Sequence, residues 1–198
     1  MLFGSPPWDS AVYWALDLET SGLETERDEI LSIGMVPIRG GVIQYGEHLY
    51  RLVRPRDLAG LSAEGIRAHH ILPAELAAAP PLEEVLPEID VRLRGGVLVL
   101  HQAAVDLGFL RRAFRRAGLD WPRPKVVDTV PLVVKWEHRR QRFEPHPKPF
   151  SASLPGARAA LGLPVYPHHH ALWDALATAE LMLVLRGRLG VRRVRELL

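Results

Sequence analysis

The chain has 198 residues and not one cysteine. That excludes a disulfide framework and any thiolate metal site, and it fits a reducing compartment. No apolar run approaches the roughly 20 residues that a membrane span requires. The first residues, Met1-Leu2-Phe3-Gly4-Ser5-Pro6-Pro7, lack the basic start and long apolar core of a signal peptide. These absences predict a cytoplasmic protein with no membrane partner. A strong charge of either sign is also missing. The formal net charge is +2, too small to announce a polyanion partner by itself. Lysine is scarce: arginine outnumbers it 22 to 3. Many arginines come in pairs, at Arg111-Arg112, Arg115-Arg116, Arg139-Arg140 and Arg192-Arg193. Arginine forks suit phosphate, although a solvated charged face is the plainer account of any single pair.

What is present describes an ordinary globule, 47% hydrophobic and 24% charged, long enough for one domain with a sizeable core. Residues 1–10 read as a Pro-containing lead-in, and residues 12–18 as a first strand. Glu29 to Ile38 is a second strand, Arg39-Gly40-Gly41 a hairpin turn, and the alternating stretch Val42 to Val53 a third strand. The chain thus opens with an antiparallel meander. Ser62 is positioned to cap a short helix over 62–68. Pro81 to Leu93 places Leu82, Val85, Leu86, Ile89 and Leu93 at helical spacing. Val97 to Leu100 is a short unbroken apolar run, as a central strand requires.

Helices are then expected at 104–117, 130–140, 153–161 and 170–189, the last with Leu172, Leu176, Ala179, Leu183 and Leu185 inward. A strand is expected at 125–128. Pro145, Pro147 and Pro149 make 141–150 a loop, and 190–198 reads as a basic terminal helix. The order βββαβαβαα predicts one α/β domain over 1–198, a mixed sheet covered by helices.

Three clusters carry chemistry. The first is Asp17-Leu18-Glu19-Thr20-Ser21-Gly22-Leu23. Residues two apart on a strand share a face, so the two carboxylates sit side by side and repel one another. No Lys or Arg lies in the run. Either a divalent cation offsets the charge, with oxygen ligands favouring Mg²⁺ or Mn²⁺, or this is a strand end with two solvated acids. The second cluster is His101-Gln102-Ala103-Ala104-Val105-Asp106, where Asp106 falls in the first turn of a helix. Alone, that acid merely complements the helix dipole. The third is His168-His169-His170-Ala171-Leu172-Trp173-Asp174. Adjacent histidines cannot all face one ion, so one or two at most are functional. Trp173 lines a cleft or packs, and packing is the simpler reading.

Taken as a set, the three clusters deliver acids to one strand end and two helix starts, and the chain resembles the DEDDh 3′→5′ exonucleases. That superfamily includes the proofreading subunit of bacterial replicative DNA polymerase, ribonuclease T and oligoribonuclease. Lesser echoes of it are His69-His70-Ile71, Val127-Asp128-Thr129, and Ser153-Leu154 with Gly162-Leu163-Pro164. The likeness spans residues 12 to 185. It implies a ribonuclease H-like fold: a mixed five-stranded sheet, made of an antiparallel three-strand meander plus parallel strands, flanked by helices. It also implies two Mg²⁺ or Mn²⁺ ions held by Asp17, Glu19, Asp106 and Asp174, with Asp17 bridging and His169 as general base.

Thr20, Ser21, Gly22 and Leu23 would hold the terminal nucleotide, Leu23 acting as a wedge against its base. His101 would neighbour a phosphate, or else be a satisfied histidine at a strand end. The implied product is a 5′-mononucleotide from a DNA 3′ end. RNA is the alternative substrate, a DNA polymerase is the partner that proofreading relatives suggest, and a non-catalytic adaptor is a third reading. Two positions depart from the family pattern. Gln102 stands where Asn is usual, and Val105 where an aromatic residue is usual.

Overall fold

In a computed structural model of the chain, residues 5–144 and 149–198 are described. Six strands form one sheet: β1 (Tyr13–Thr20), β2 (Ile30–Arg39), β3 (Val42–Ile43), β4 (Leu49–Leu52), β5 (Val97–Leu100) and β6 (Lys125–Asp128). The order is β3-β2-β1-β5-β6, with β4 also pairing with β2. β1 runs antiparallel to β2 and parallel to β5, and β5 runs parallel to β6. The expected mixed sheet, with its antiparallel opening and parallel continuation, is therefore present.

The third strand expected over 42–53 is divided into β3 and β4 by a 3₁₀ turn at Tyr45–Glu47. Pro37 explains the break. Its carbonyl accepts the Gln44 N–H at 2.9 Å, so the backbone edge of Pro37 that faces the meander has no N–H to donate. A ladder cannot continue past a residue without a donor. β4 resumes pairing beyond it, from Met35 to Ser32.

Alternation along β1 divides the core in two. Trp14 and Leu16 face one side with Ile33, Met35, Leu98 and Leu100. There they pack on α3 (Leu82–Arg94) and α4 (Ala104–Arg116) through Leu86, Ile89, Phe109 and Phe114. Tyr13 and Ala15 face the other side with Val99 and Val127. That layer is closed by α5 (Thr129–Phe143), α6 (Leu154–Ala160) and α7 (Ala171–Leu189). α7 is apolar nearly all round, because β1 and β2 cover one side of it and α5 and α6 another. Leu176 and Leu183, expected inside, are half-buried, while Leu181 and Met182 are fully enclosed.

Two short helices precede this arrangement. α1 (Ala63–His69) is capped as expected by the Ser62 hydroxyl, which accepts the Gly65 N–H at 3.0 Å. α2 (Pro73–Ala78) was not foreseen, although Pro73 stands at its first turn and Glu75 accepts the Leu72 N–H at 2.8 Å. At the other end, α5 continues to Phe143, into the stretch expected to be loop. Residues 145–148 of that stretch lie outside the described residues.

The expected basic terminal helix over 190–198 does not form. Gly190, at φ +69, stops α7. Val191, Val194 and Leu197 then turn inward at a spacing of three, which suits the 3₁₀ turn Val194–Glu196 that the tail adopts. Pro7 bridges to Arg193, and Trp8 N–H donates to the Arg192 carbonyl at 3.1 Å. Among the described residues, no helix is long and apolar enough to cross a membrane.

Candidate active site

The parity that sorts the core also aims the first acids. Asp17 and Glu19 continue the row of Tyr13 and Ala15, so they face the layer that contains α7. Asp174 lies in the first turn of α7. Carboxylate oxygens of Asp17, Glu19 and Asp174 all lie within 4.8 Å of one another.

One residue makes that approach geometrically allowed. Gly34 pairs with Asp17 across β1 and β2. A Cβ there would collide with the backbone of Ala171 and Leu172 at the start of α7. Only glycine lets the helix terminus lie this close to the sheet.

Asp106 enters from α4, at the end of β5, and is 9% exposed. It stands outside the tight trio but within electrostatic reach, since its charge is one of the causes that raise the Asp17 carboxyl well above its ordinary range. Burial is the larger cause, and Asp174 and Glu19 add to it. Burial likewise pushes Glu19 up to about 8, with Asp174 and Asp106 contributing. Asp106 rises to about 7, again chiefly through burial, while hydrogen bonds from backbone groups, Leu18 among them, hold it down. Asp174 is raised by burial too, against N–H donation from His169 and His170.

The acids open into a cleft of about 580 Å³. Among its described lining residues there is no Lys or Arg, and Glu64 adds a fifth carboxylate. Crowded acids with no Lys or Arg beside them fit a divalent cation and would be poorly tolerated without one. The donor set is entirely oxygen, as Mg²⁺ and Mn²⁺ prefer.

The turn from Thr20 to Leu23 forms one rim. Its shape is set by Asp28, whose carboxylate accepts from the Ser21 hydroxyl at 3.2 Å and from the Glu24 N–H at 2.7 Å. Ser21 N–H donates to the Glu29 carbonyl at 2.9 Å, and the Thr20 hydroxyl to the Gly22 carbonyl at 2.6 Å. A side chain at Gly22 would strike the Asp28 carboxylate. Leu23 projects outward and is 80% exposed, which leaves its side chain free to meet a ligand.

The three histidines of the third cluster separate. His169 is exposed on the cleft wall, with φ +61, and its N–H donates to Asp174 Oδ2 at 2.9 Å. His170 instead stacks on Tyr50 at 4.7 Å, away from the cleft lining. His168 is exposed and also lies outside that lining. Trp173 packs between Tyr45 and Tyr166.

His101 lines the cleft, but its Nδ1 is 2.8 Å from the Thr129 hydroxyl and its ring also bonds to the Ala152 backbone. Burial lowers its pKa, so it is a largely neutral ring held by two neighbours. His69, from the first lesser echo, is also on the cleft wall and is buried, accepting the Ile71 N–H at 3.0 Å.

The sequence did not single out Gly34 or the full role of Asp128. Asp128 caps α5 through the Val130 N–H at 3.0 Å. It also accepts from the N–H groups of Gln102 at 3.1 Å and Ala103 at 3.0 Å. Those two bonds fix the turn that launches α4 and hence Asp106. Gln102 sits there at φ +66, a left-handed conformation that Asn tolerates better than Gln. A lone glycine inside the apolar run of β2 was the available signal for Gly34.

Comparison with known proteins agrees with this geometry. The RNase_T family model, described as Exonuclease, matches residues 14–182. The chain is similar to the DNA polymerase III PolC-type of Thermotoga maritima, with 34% identity over 192 residues. That match covers 94% of this chain but 13% of the polymerase. Among solved structures, the zinc-bound complex of E. coli ExoI with single-stranded DNA superimposes with a TM-score of 0.76 at 19% identity. It covers 90% of this chain and 41% of that one. Exonuclease X in complex with 5′ overhanging duplex DNA superimposes with a TM-score of 0.65 at 25% identity, covering 90% and 93%. The chain belongs to the exonuclease family and is a nuclease with a ribonuclease H-like fold.

Proposed function

We propose that the chain hydrolyses phosphodiester bonds from the 3′ end of DNA and releases 5′-mononucleotides. The observation that carries this reading is the convergence of Asp17, Glu19 and Asp174 within 4.8 Å, in a cleft with no Lys or Arg among its described lining residues. Asp17, Glu19, Asp106 and Asp174 would hold two divalent cations, Mg²⁺ or Mn²⁺. When bound, such ions polarise the phosphate and stabilise charge on the departing oxygen.

The chain's own groups do the rest. His169 stands on the cleft wall, open to solvent, and takes the proton from the attacking water, a task for which an imidazole is suited. The Thr20–Leu23 turn holds the terminal nucleotide, and exposed Leu23 packs against the last base. Apolar contact of that kind is tolerant of sequence. Asp128 acts one step away, by fixing the turn from which Asp106 projects. DNA is favoured over RNA because the relatives that match are a DNA polymerase and exonucleases bound to DNA. The polymerase relative also supports a proofreading role beside a polymerase.

The test compares 5′-labelled single-stranded DNA, mismatched-primer DNA and RNA, each with Mg²⁺, Mn²⁺ or EDTA. Stepwise shortening from the 3′ end of DNA, with metal only, is the expected result. Preferential trimming of RNA, or shortening that survives EDTA, would overturn the proposal.

A further inference from the structure

A second pocket, of about 420 Å³, shares no lining residue with the acidic cleft. It lies between the start of β2, the chain after β4, the first turn of α3 and the middle of α4. Ile30, Val53 and Leu82 contribute an apolar wall, and Arg54, Arg56, Arg112 and Arg116 line it as well. The carboxylates in the lining are Glu29 and Glu83, and both are engaged by Arg56. Glu83 pairs with its guanidinium at 2.9 Å, and Glu29 accepts its backbone N–H at 3.0 Å. Among the described residues, Arg54, Arg112 and Arg116 make no ion pair.

Arg112 is the informative one. It is only 5% exposed. Its Nη2 donates to the Asp28 carbonyl, while Nη1 is buried and has no hydrogen-bond partner. A buried donor without an acceptor is costly, and Arg112 holds this charged fork at the pocket wall. Burial, and after it the neighbouring charge of Arg116, weigh against the Arg112 cation, while Glu26, Glu29 and Asp28 favour it; an anion in the pocket would offset the charge of Arg116.

We propose that this pocket binds the phosphate of a nucleoside 5′-monophosphate. The guanidinium forks of Arg112, Arg54 and Arg116 take the phosphate oxygens, and the apolar wall accommodates the nucleoside. The pocket is larger than a phosphate ion needs and is lined on several sides, which suits a terminal phosphate rather than a passing strand. The choice of a nucleotide rests on the reading above, because that reaction releases one. The link between the pocket and the nucleotide-holding turn is short. Arg112 holds the Asp28 carbonyl, and the Asp28 carboxylate holds Ser21 and Glu24. A bound product would therefore bear on the position of the nucleotide-holding turn.

Isothermal titration of the full chain in EDTA tests this, with dTMP, inorganic phosphate and thymidine as probes. dTMP should bind, phosphate more weakly, and thymidine not at all. The double variant Arg54→Ala/Arg116→Ala changes exposed side chains and should weaken dTMP binding by roughly tenfold or more. Arg112→Met should abolish it, and the exposed pair keeps the test valid if that variant fails to fold. Asp17→Asn should leave binding unchanged. Binding that survives the arginine double variant, that is lost in Asp17→Asn, or that thymidine matches would overturn the proposal, as would no binding of dTMP. Equal competition by a 3′-blocked oligonucleotide without a terminal phosphate would assign the pocket to the strand's path instead. The titration uses neither metal nor turnover, so its failure leaves the nuclease reading standing.

Discussion

Replacing Gly34 by alanine adds one methyl group at a point where β2 meets the start of α7. The new Cβ would fall closer than 3.0 Å to Ala171 and Leu172. The atoms it meets are backbone, which cannot rotate away as a side chain can. Restoring ordinary contact near 3.4 Å requires the helix terminus to withdraw by about 1 Å. Overpacking of this kind costs about 1–3 kcal/mol, which a domain of this size survives. The site is less tolerant. Asp174 rides on the displaced terminus, and the trio it forms with Asp17 and Glu19 spans only 4.8 Å.

A shift of about 1 Å in a positioned group lowers rates by roughly a hundredfold. Gly34→Ala should therefore remain folded by circular dichroism and melt a few degrees lower. It should lose about a hundredfold in Mg²⁺-dependent trimming of 5′-labelled DNA, and it should also lose most of the rise in melting temperature that the wild type gains from Mn²⁺. A variant that trims within about threefold of wild type, and that keeps the full Mn²⁺-induced rise, would refute the claim that this glycine sets the metal-binding geometry.

Other outcomes follow from the same electrostatics and hydrogen bonds. Glu19 and Asp106 titrate near 8 and 7 in the folded chain, against 4.5 and 3.8 ordinarily. The folded state therefore holds protons that the unfolded state releases, and their stabilisation is complete at low pH and lost as pH rises toward 8. In EDTA, the melting temperature should fall between pH 5 and pH 8, and saturating Mg²⁺ should flatten that fall; a flat profile in EDTA would contradict the crowding.

Asp17→Asn should raise the melting temperature of the metal-free protein above pH 8, where repulsion is greatest, while abolishing trimming. His169→Ala should remove most turnover with little change in stability, since its side chain is exposed, as a rate and a melting curve together will show. Asp128→Ala withdraws the acceptor of three N–H groups. It should cost about 1–3 kcal/mol in urea unfolding and lower trimming through displacement of Asp106.

The division between what was legible in the chain and what was not follows the range of the interactions involved. Strand alternation is local, so the shared face of Asp17 and Glu19 was already fixed by the sequence of β1. The apolar run of β5, the helical spacing in α3 and the Ser62 cap are equally local, and each element formed where its pattern put it. The missing donor of Pro37 was present in the sequence too. Its effect on β3 and β4 depended on knowing which strand would lie opposite. The tail illustrates the same limit, because Val191, Val194 and Leu197 chose a 3₁₀ path only once a core existed for them to face.

The sequence alone determined the acids, their order and the family likeness, because these reside in side-chain identity and short spacing. Only the tertiary structure decided that Asp174 closes on Asp17 and Glu19 while Asp106 stands slightly apart. The likeness had already named His169 among the three adjacent histidines, and the fold places it on the cleft wall while His170 stacks on Tyr50. Those outcomes depend on how closely a helix terminus can approach a sheet, and that distance is set at Gly34 by two segments far apart in the chain.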